Sequence, residues 1–564
     1  MSGKAALATI LILLLTGTCL GASFDAPVEA WLRTAGDGEK VALWVFFKDK
    51  GALPAEQAEA RIGEAAGEFT PAAVRRRLAA RPSRPFDEKD LPVYRPYVKA
   101  LEQDGVEFRA FSRWLNAVSV LVDRTRLEGL RAHPFVESVK RVSGRAGGPV
   151  PDTVTGPAVR TLAPQGFYGE SYRQLEQIQV IDLHNEGYTG DGVIVAIFDT
   201  GFWRTHESLT GVNVIAEWDF INDDGVTENE PGDLENQHNH GTSCLSLLAG
   251  YTPNVLIGCA YDAGYLLAKT EDMSQEQPVE EDWWIEAAEW ADSLGAQIIS
   301  SSLCYNDWYT YEDMDGETAP ITICADQAAA NGIVVVNAAG NSGASSWKYI
   351  LAPADGDSVI TAGAIDSLGN RAYFSSQGPT YDGRIKPTIM AHGQATYVAS
   401  PLSSTAYLRG NGTSFACPLT AGALALVLDK NPTWTAREVL NAIKATGTRA
   451  SNPDTLYGWG ILQALDASDY APFSGVSADV QIPPGLRVYP NPARTSLHIA
   501  PAGSGAGVPV SFYDISGRLV GRMVLASGIS SEVDLGSLLD GVAPGVIMVE
   551  APGHRPAKVL YLKP

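Results

Sequence analysis

The chain is 564 residues long, 45% hydrophobic and 19% charged, an ordinary globular composition with room for about three or four domains. Its net charge of -23 argues against nucleic acid as a partner. The charge is uneven: residues 23–165 carry 22 basic against 19 acidic side chains and residues 166–564 carry 19 against 46, so a slightly basic front precedes an acidic body, which reads either as a surface on which the front docks or as a solvated acidic surface.

At the N-terminus, Lys4 precedes the apolar run ALATILILLL, which is too short to span a bilayer, and small residues follow at Cys19, Gly21 and Ala22. Residues 1–22 therefore read as a secretory signal peptide cleaved near Gly21 or Ala22, and the Thr16-Gly17-Thr18 approach to Cys19 lacks a lipoprotein pattern. Export permits disulfides among the remaining cysteines. Cys304 and Cys324 bracket a polar, aromatic loop and form the candidate pair; Cys244, Cys259 and Cys417 lie in apolar runs and read as small core residues. Zinc-ligand spacing is absent.

Residues 23–165 form a first unit. VALWVFFKD (41–49) and NAVSVLVD (116–123) are strand-like, with a helical, Arg-rich AAVRRRLAARP between them, and residues 127–142 read as a helix turning into a strand. A Gly/Pro/Ser-rich linker follows Val142 and marks a domain boundary open to proteolysis. From 166 to 467, apolar β-branched runs (VIVAIFDT, GYLLAKT, AQIISSSL, GIVVVNAAGN, VITAGAI) alternate with helical segments such as residues 278–295. That alternation predicts an α/β domain with a parallel sheet covered on both faces, whose ligands bind past the carboxyl ends of strands. A linker over 468–483 leads to residues 484–564, whose short strand-like runs predict a small β-sandwich with a turn at DISGR.

Four polar residues stand where such a sheet places chemistry. Asp199 ends the run VAIFDT, His240 precedes a helix in NQHNHGTSCLSLLAG, Asn341 follows a strand in VVVNAAGNSG, and Ser414 opens a long apolar helix after GNGT. Each alone has a bland reading as a cap, a loop or a turn residue. Together they supply the parts of acyl transfer. Ser414 is the nucleophile and His240 takes its proton, while Asp199 fixes the imidazole tautomer. Asn341 would donate to the oxyanion beside the Ser414 backbone N–H.

The order Asp, His, Ser, carried by DTG, HGT and GTSFACP over about residues 175–467, resembles the subtilisin-like serine proteases. The resemblance implies a subtilisin-like parallel sheet flanked by helices. It also implies an extended peptide substrate lying along Ser302, Leu303 and Cys304, with Ala338, Ala339 and Gly340 lining the far side of the first specificity pocket. Cys304 stands where that family usually has Gly, Phe415 replaces its Met, and Ser208 takes the place of a familiar calcium carboxylate. No cofactor is expected. Calcium enters only as a structural ion in the acidic loop 219–236, through Asp223, Asp224 and Asp233, beside the reading of that loop as a solvated insertion. The front unit resembles the α+β propeptide of secreted family members, which implies self-cleavage between about Val142 and Tyr172 and inhibition of the cleft by the chain's own propeptide. The tail, through VYPNPA, YDISGRLV and AKVLYLKP, resembles the C-terminal sorting domain of type IX secretion, implying passage across the outer membrane to the medium or the cell surface. The competing expectation is a catalytically silent surface protein that binds through a protease-like scaffold.

Overall fold

The computed structural model describes residues 23–142, 153–157, 166–274 and 277–471 and, in the tail, the strands alone. The signal segment, most of the expected self-cleavage region and the DISGR turn lie outside the described residues. The chain divides into two compact units at Pro472/Phe473.

The first unit is built on a seven-stranded sheet in the order Ile389–His392, Ile360–Ile365, Val334–Ala338, Ile298–Ser301, Ile194–Asp199, Gly264–Lys269, Asn213–Asp219. Every neighbouring pair is parallel. Both faces are covered, which is why the strands are apolar throughout. On strand Ile194–Asp199, Val195 and Ile197 pack with residues of helices Asn239–Ala249 and Thr413–Lys430. Ala196 and Phe198 point the other way, onto helices Val279–Leu294 and Pro320–Ala330. Helix Thr413–Lys430 is buried from Thr413 to Leu428, so its sequence is apolar on all sides rather than striped. Two strands escape the sequence pattern: Asn213–Asp219 is an edge strand with Ile215 half exposed, and Ile389–His392 is only four residues long.

Residues 23–142 form a five-stranded sheet ordered Ser23–Phe24, Val136–Arg141, Lys40–Phe47, Ala117–Asp123, Glu107–Ser112, antiparallel except for its first pair. One face carries its own core around Leu43, Val45, Val118 and Val120. The other lies on helix 279–294, where Trp44, Ala110 and Trp114 share a core with Trp284, Ile285 and Ala288. That helix presents acidic groups to the sheet. Asp282 accepts from Ser119 Oγ at 2.6 Å and pairs with Arg109 at 2.8 Å; Glu286 accepts from the Phe111 N–H at 3.1 Å; Glu289 accepts from Ser112 Oγ at 2.7 Å and the Trp114 N–H at 3.1 Å. Helix Pro71–Ala80 adds Arg76 and Arg77, which both pair with the buried Asp292. The charge asymmetry of the sequence is thus realised as contact between a basic front and an acidic helix.

In the second unit the expected tail strands are present in two antiparallel sheets. One is ordered Arg487–Tyr489, Ser496–Ala500, Ser531–Asp534, and the other Leu519–Leu525, Val508–Tyr513, Gly545–Glu550, Ala557–Tyr561.

Candidate active site

Chain order reverses beside strand 194–199: the next two strands lie on one side of it and strand 298–301 on the other. The carboxyl edge of an open sheet forms a crevice at such a point. A cleft of about 570 Å³ opens here, and His240, Ser414, Asn341, Ser302, Leu303 and Cys304 all line it.

Asp199 is the last residue of its strand and is fully buried. Its Oδ1 accepts from the Thr200 N–H at 2.8 Å and lies 2.6 Å from His240 Nδ1. A neutral imidazole held this way carries its proton on Nδ1 and keeps Nε2 as the basic nitrogen. The approach needs Gly241: a Cβ there would come within 2.2 Å of the Gly201 carbonyl and 3.0 Å of Asp199 Cβ. The sequence HG therefore encodes how closely the helix bearing His240 meets the end of the aspartate strand.

Ser414 is the second residue of helix 413–430 and almost buried. Pro418 stands four residues later and has no N–H, so the Ser414 carbonyl loses its helical partner. It accepts instead from Ser302 Oγ at 2.9 Å and from the Cys244 thiol at 3.5 Å. Ser414 Oγ in turn lies 3.4 Å from the Ser302 carbonyl. Gly410 is required nearby, because a Cβ would strike the Phe415 ring at 2.5 Å.

Asn341 is oriented by the residue before the serine. Its Oδ1 accepts from the Thr413 N–H at 2.9 Å and from Thr413 Oγ1 at 3.1 Å, which leaves the amide nitrogen as the donor on this wall of the cleft. Thr413 Oγ1 also accepts from the Gly340 N–H at 3.1 Å.

Among the six expected substrate residues, Ser302, Leu303 and Cys304 reach the cleft. Ala338, Ala339 and Gly340 stand behind its wall: both alanines are fully buried, Ala339 packs against Ile350 and Ala354, and Leu351 fills the space a Gly340 side chain would need. The expected Cys304–Cys324 disulfide is absent, and all five cysteines in the described residues are thiols. Cys324 is buried in helix 320–330 against the core while Cys304 faces the cleft; bracketing one loop does not bring two Cβ atoms to bonding distance.

Cys244, read from sequence as core, is buried with its sulfur 3.9 Å from both ring nitrogens of His240, and burial pushes its thiol up to about 12. It sits one turn after His240 on the same helix, the i+4 spacing that would have signalled the contact. In the acidic loop, Asp219, Asp224 and Glu230 converge, rather than Asp223, Asp224 and Asp233. Lys269 Nζ reaches Asp219 at 2.7 Å and Asp233 at 2.8 Å, bringing to them the positive charge a calcium ion would otherwise supply. No buried side-chain oxygen of this loop lacks a hydrogen bond.

The fold is a parallel α/β domain whose crevice gathers a carboxylate, an imidazole and a hydroxyl. Residues 190–460 match the subtilase family, peptidase S8. Residues 42–150 match the peptidase S8 propeptide domain of Bacteroidota, and residues 487–542 a secretion system C-terminal sorting domain. The chain is 30% identical to Subtilisin E of Bacillus subtilis (strain 168) over 370 residues, 65% of this chain and 84% of that protein. It is 36% identical to Subtilisin DY of Bacillus licheniformis over 293 residues, 52% of this chain and 96% of that protein. With Subtilisin Savinase of Lederbergia lenta the identity is 32% over 298 residues, 52% of this chain and 97% of that protein. The chain belongs to the subtilase family. It is a subtilisin-like serine endopeptidase with the propeptide of a zymogen, and its sorting domain marks it for export to the medium or the cell surface.

Proposed function

We propose that hydrolysis runs through Ser414, His240, Asp199 and Asn341. The observation that carries this reading is the 2.6 Å contact of His240 Nδ1 with buried Asp199, in the cleft that Ser414 also lines. His240 Nε2 takes the Ser414 proton as Oγ attacks the peptide carbonyl, and later returns a proton to the leaving amine. Asp199 holds the ring and stabilises the imidazolium. The Ser414 N–H and the Asn341 amide nitrogen bind the tetrahedral oxyanion, aided by the helix N-terminus. The substrate lies extended along Ser302–Cys304, with Ala338–Gly340 supporting the far wall of the first pocket. Binding through the main chain makes recognition tolerant of sequence at most positions.

The propeptide, residues 23–165, blocks the catalytic domain, 166–467, until self-cleavage between Val142 and Tyr172. A linker over 468–483 joins the sorting domain, 484–564, which is handed to type IX secretion machinery. The test is labelling with a fluorophosphonate, which reacts only with an activated serine. The wild-type chain is expected to be labelled and to yield a mature N-terminus between Val142 and Tyr172. Ser414→Ala is expected to lose labelling, casein hydrolysis and self-processing together. Full hydrolysis by that variant would remove the mechanism.

A further inference from the structure

Among the described residues, two carboxylates line the cleft, Glu271 and Asp307, and no lysine or arginine does. Lys269 pairs with Asp199 across the sheet, so Glu271 stands two residues beyond the level of the aspartate, at the same carboxyl edge. It is held firmly there. Its carbonyl accepts from Gln237 Nε2 at 2.6 Å, and its Oε2 accepts from the hydroxyl of fully buried Tyr305 at 2.8 Å. The Tyr305 backbone is fixed in turn by two hydrogen bonds with Ala352, at 2.8 and 3.1 Å. The carboxyl sits in the field of both Asp199 and His240, and burial pushes it up to about 7.

A carboxyl anchored this way, with no lysine or arginine among the described residues of the cleft, suits a cationic partner in a substrate groove: the partner's charge draws off its proton and pairs with the carboxylate. Successive side chains of an extended peptide point to opposite sides. The strand leading to Asn341 lies on one side of strand 298–301, and the strands leading to Asp199 and Glu271 lie on the other. On the catalytic reading, with the backbone along Ser302–Cys304, the residue whose carbonyl is attacked would turn to the Asn341 side and the residue before it to the side of His240 and Glu271. Met273, also lining the cleft, offers an apolar surface for a long aliphatic stem. We propose that Glu271 selects a basic side chain, lysine or arginine, at the substrate residue immediately preceding the one whose carbonyl is attacked. The inference rests on the catalytic reading above. A cation there takes up a pre-oriented carboxylate; a neutral side chain forgoes that pair; an acidic one brings a second carboxyl against Glu271.

The experiment uses the processed enzyme, with active sites counted by fluorophosphonate, and fluorogenic peptides that differ only at this position: Lys, Gln or Glu. Lysine is expected to exceed glutamine in kcat/KM by about tenfold or more, the scale of a hydrogen bond to a charged partner, and glutamate to be poorest. Glu271→Gln is expected to bring the Lys/Gln ratio to within about twofold of unity, while Asp307→Asn keeps the preference. Equal rates on lysine and glutamine in the labelled wild-type enzyme overturn the inference without any variant. So does a preference that survives Glu271→Gln or vanishes with Asp307→Asn. An enzyme that takes no fluorophosphonate fails at Ser414 instead, and the inference falls with the catalytic reading.

Discussion

Ser302 and Ser414 hold each other: Ser302 Oγ donates to the Ser414 carbonyl at 2.9 Å, and Ser414 Oγ lies 3.4 Å from the Ser302 carbonyl. The first bond exists because Pro418 withholds the helical donor that carbonyl would otherwise use. The cleft wall at Ser302 and the helix that carries the proposed nucleophile are thus tied through a carbonyl left without its helical partner.

Pro418→Ala returns an N–H to the helix and competes with Ser302 for the Ser414 carbonyl. The melting temperature is expected to stay level or rise. The kcat is expected to fall about tenfold as Ser414 shifts relative to His240, since small misplacements of reacting groups are costly. Thermal unfolding and steady-state kinetics on the processed enzyme check it; kcat unchanged beside a raised melting temperature means the bond does not position Ser414.

Thr413 orients Asn341 through two hydrogen bonds to its Oδ1. Asn341→Ala is expected to lower kcat by about 10²- to 10³-fold with little change in KM, the signature of a donor used in the transition state. Thr413→Val removes one of those bonds and is expected to give a smaller loss of the same kind. A loss confined to KM in either variant points to ground-state binding instead.

Asp292 is the buried partner of both Arg76 and Arg77 of the propeptide. Asp292→Ala leaves two guanidinium groups in a buried interface without that carboxylate, although Asp90 still reaches Arg77 at 2.8 Å. Breaking such a pair costs about 3–5 kcal/mol. Inhibition of the mature variant by added propeptide is expected to weaken by at least about two orders of magnitude, read from the inhibition constant. A change of less than threefold means that the apolar contact around Trp44 and Trp284 dominates.

Burial against the propeptide sheet pushes Asp282 up to about 6, Glu286 up to about 7, and Glu289 upward. Arg109 and Arg113 face these groups and oppose the shift without cancelling it. In the released enzyme the carboxyls regain water and their ordinary values near 4, so the complex binds more protons than its separated parts. The propeptide is therefore held most firmly below about pH 4, and the hold weakens as pH rises through 6 to 7. Inhibition constants measured from pH 5 to 8 are expected to rise with pH, and Glu286→Gln to flatten the profile. Tightening over that range contradicts the assignment.

The sequence by itself determined the kind of sheet, because strands buried on both faces must be apolar throughout and so betray themselves. It also singled out Asp199, His240, Asn341 and Ser414 as candidates, because each sits at the junction of a strand or helix with glycine-rich turns whose spacing is local, and the structure sets His240, Asn341 and Ser414 on one cleft with Asp199 against His240. What only the tertiary structure decided depends on contacts between residues remote in the chain. Glu271 meets Tyr305 across 34 positions, Lys269 pairs with Asp219 and Asp233 of the loop expected to attract calcium, and Cys304 and Cys324 face different surroundings although one loop joins them. Local pattern records which face of an element is buried. It carries no record of which other element lies against that face, and that neighbour sets the charge, the reach and the bonding of each group in the cleft.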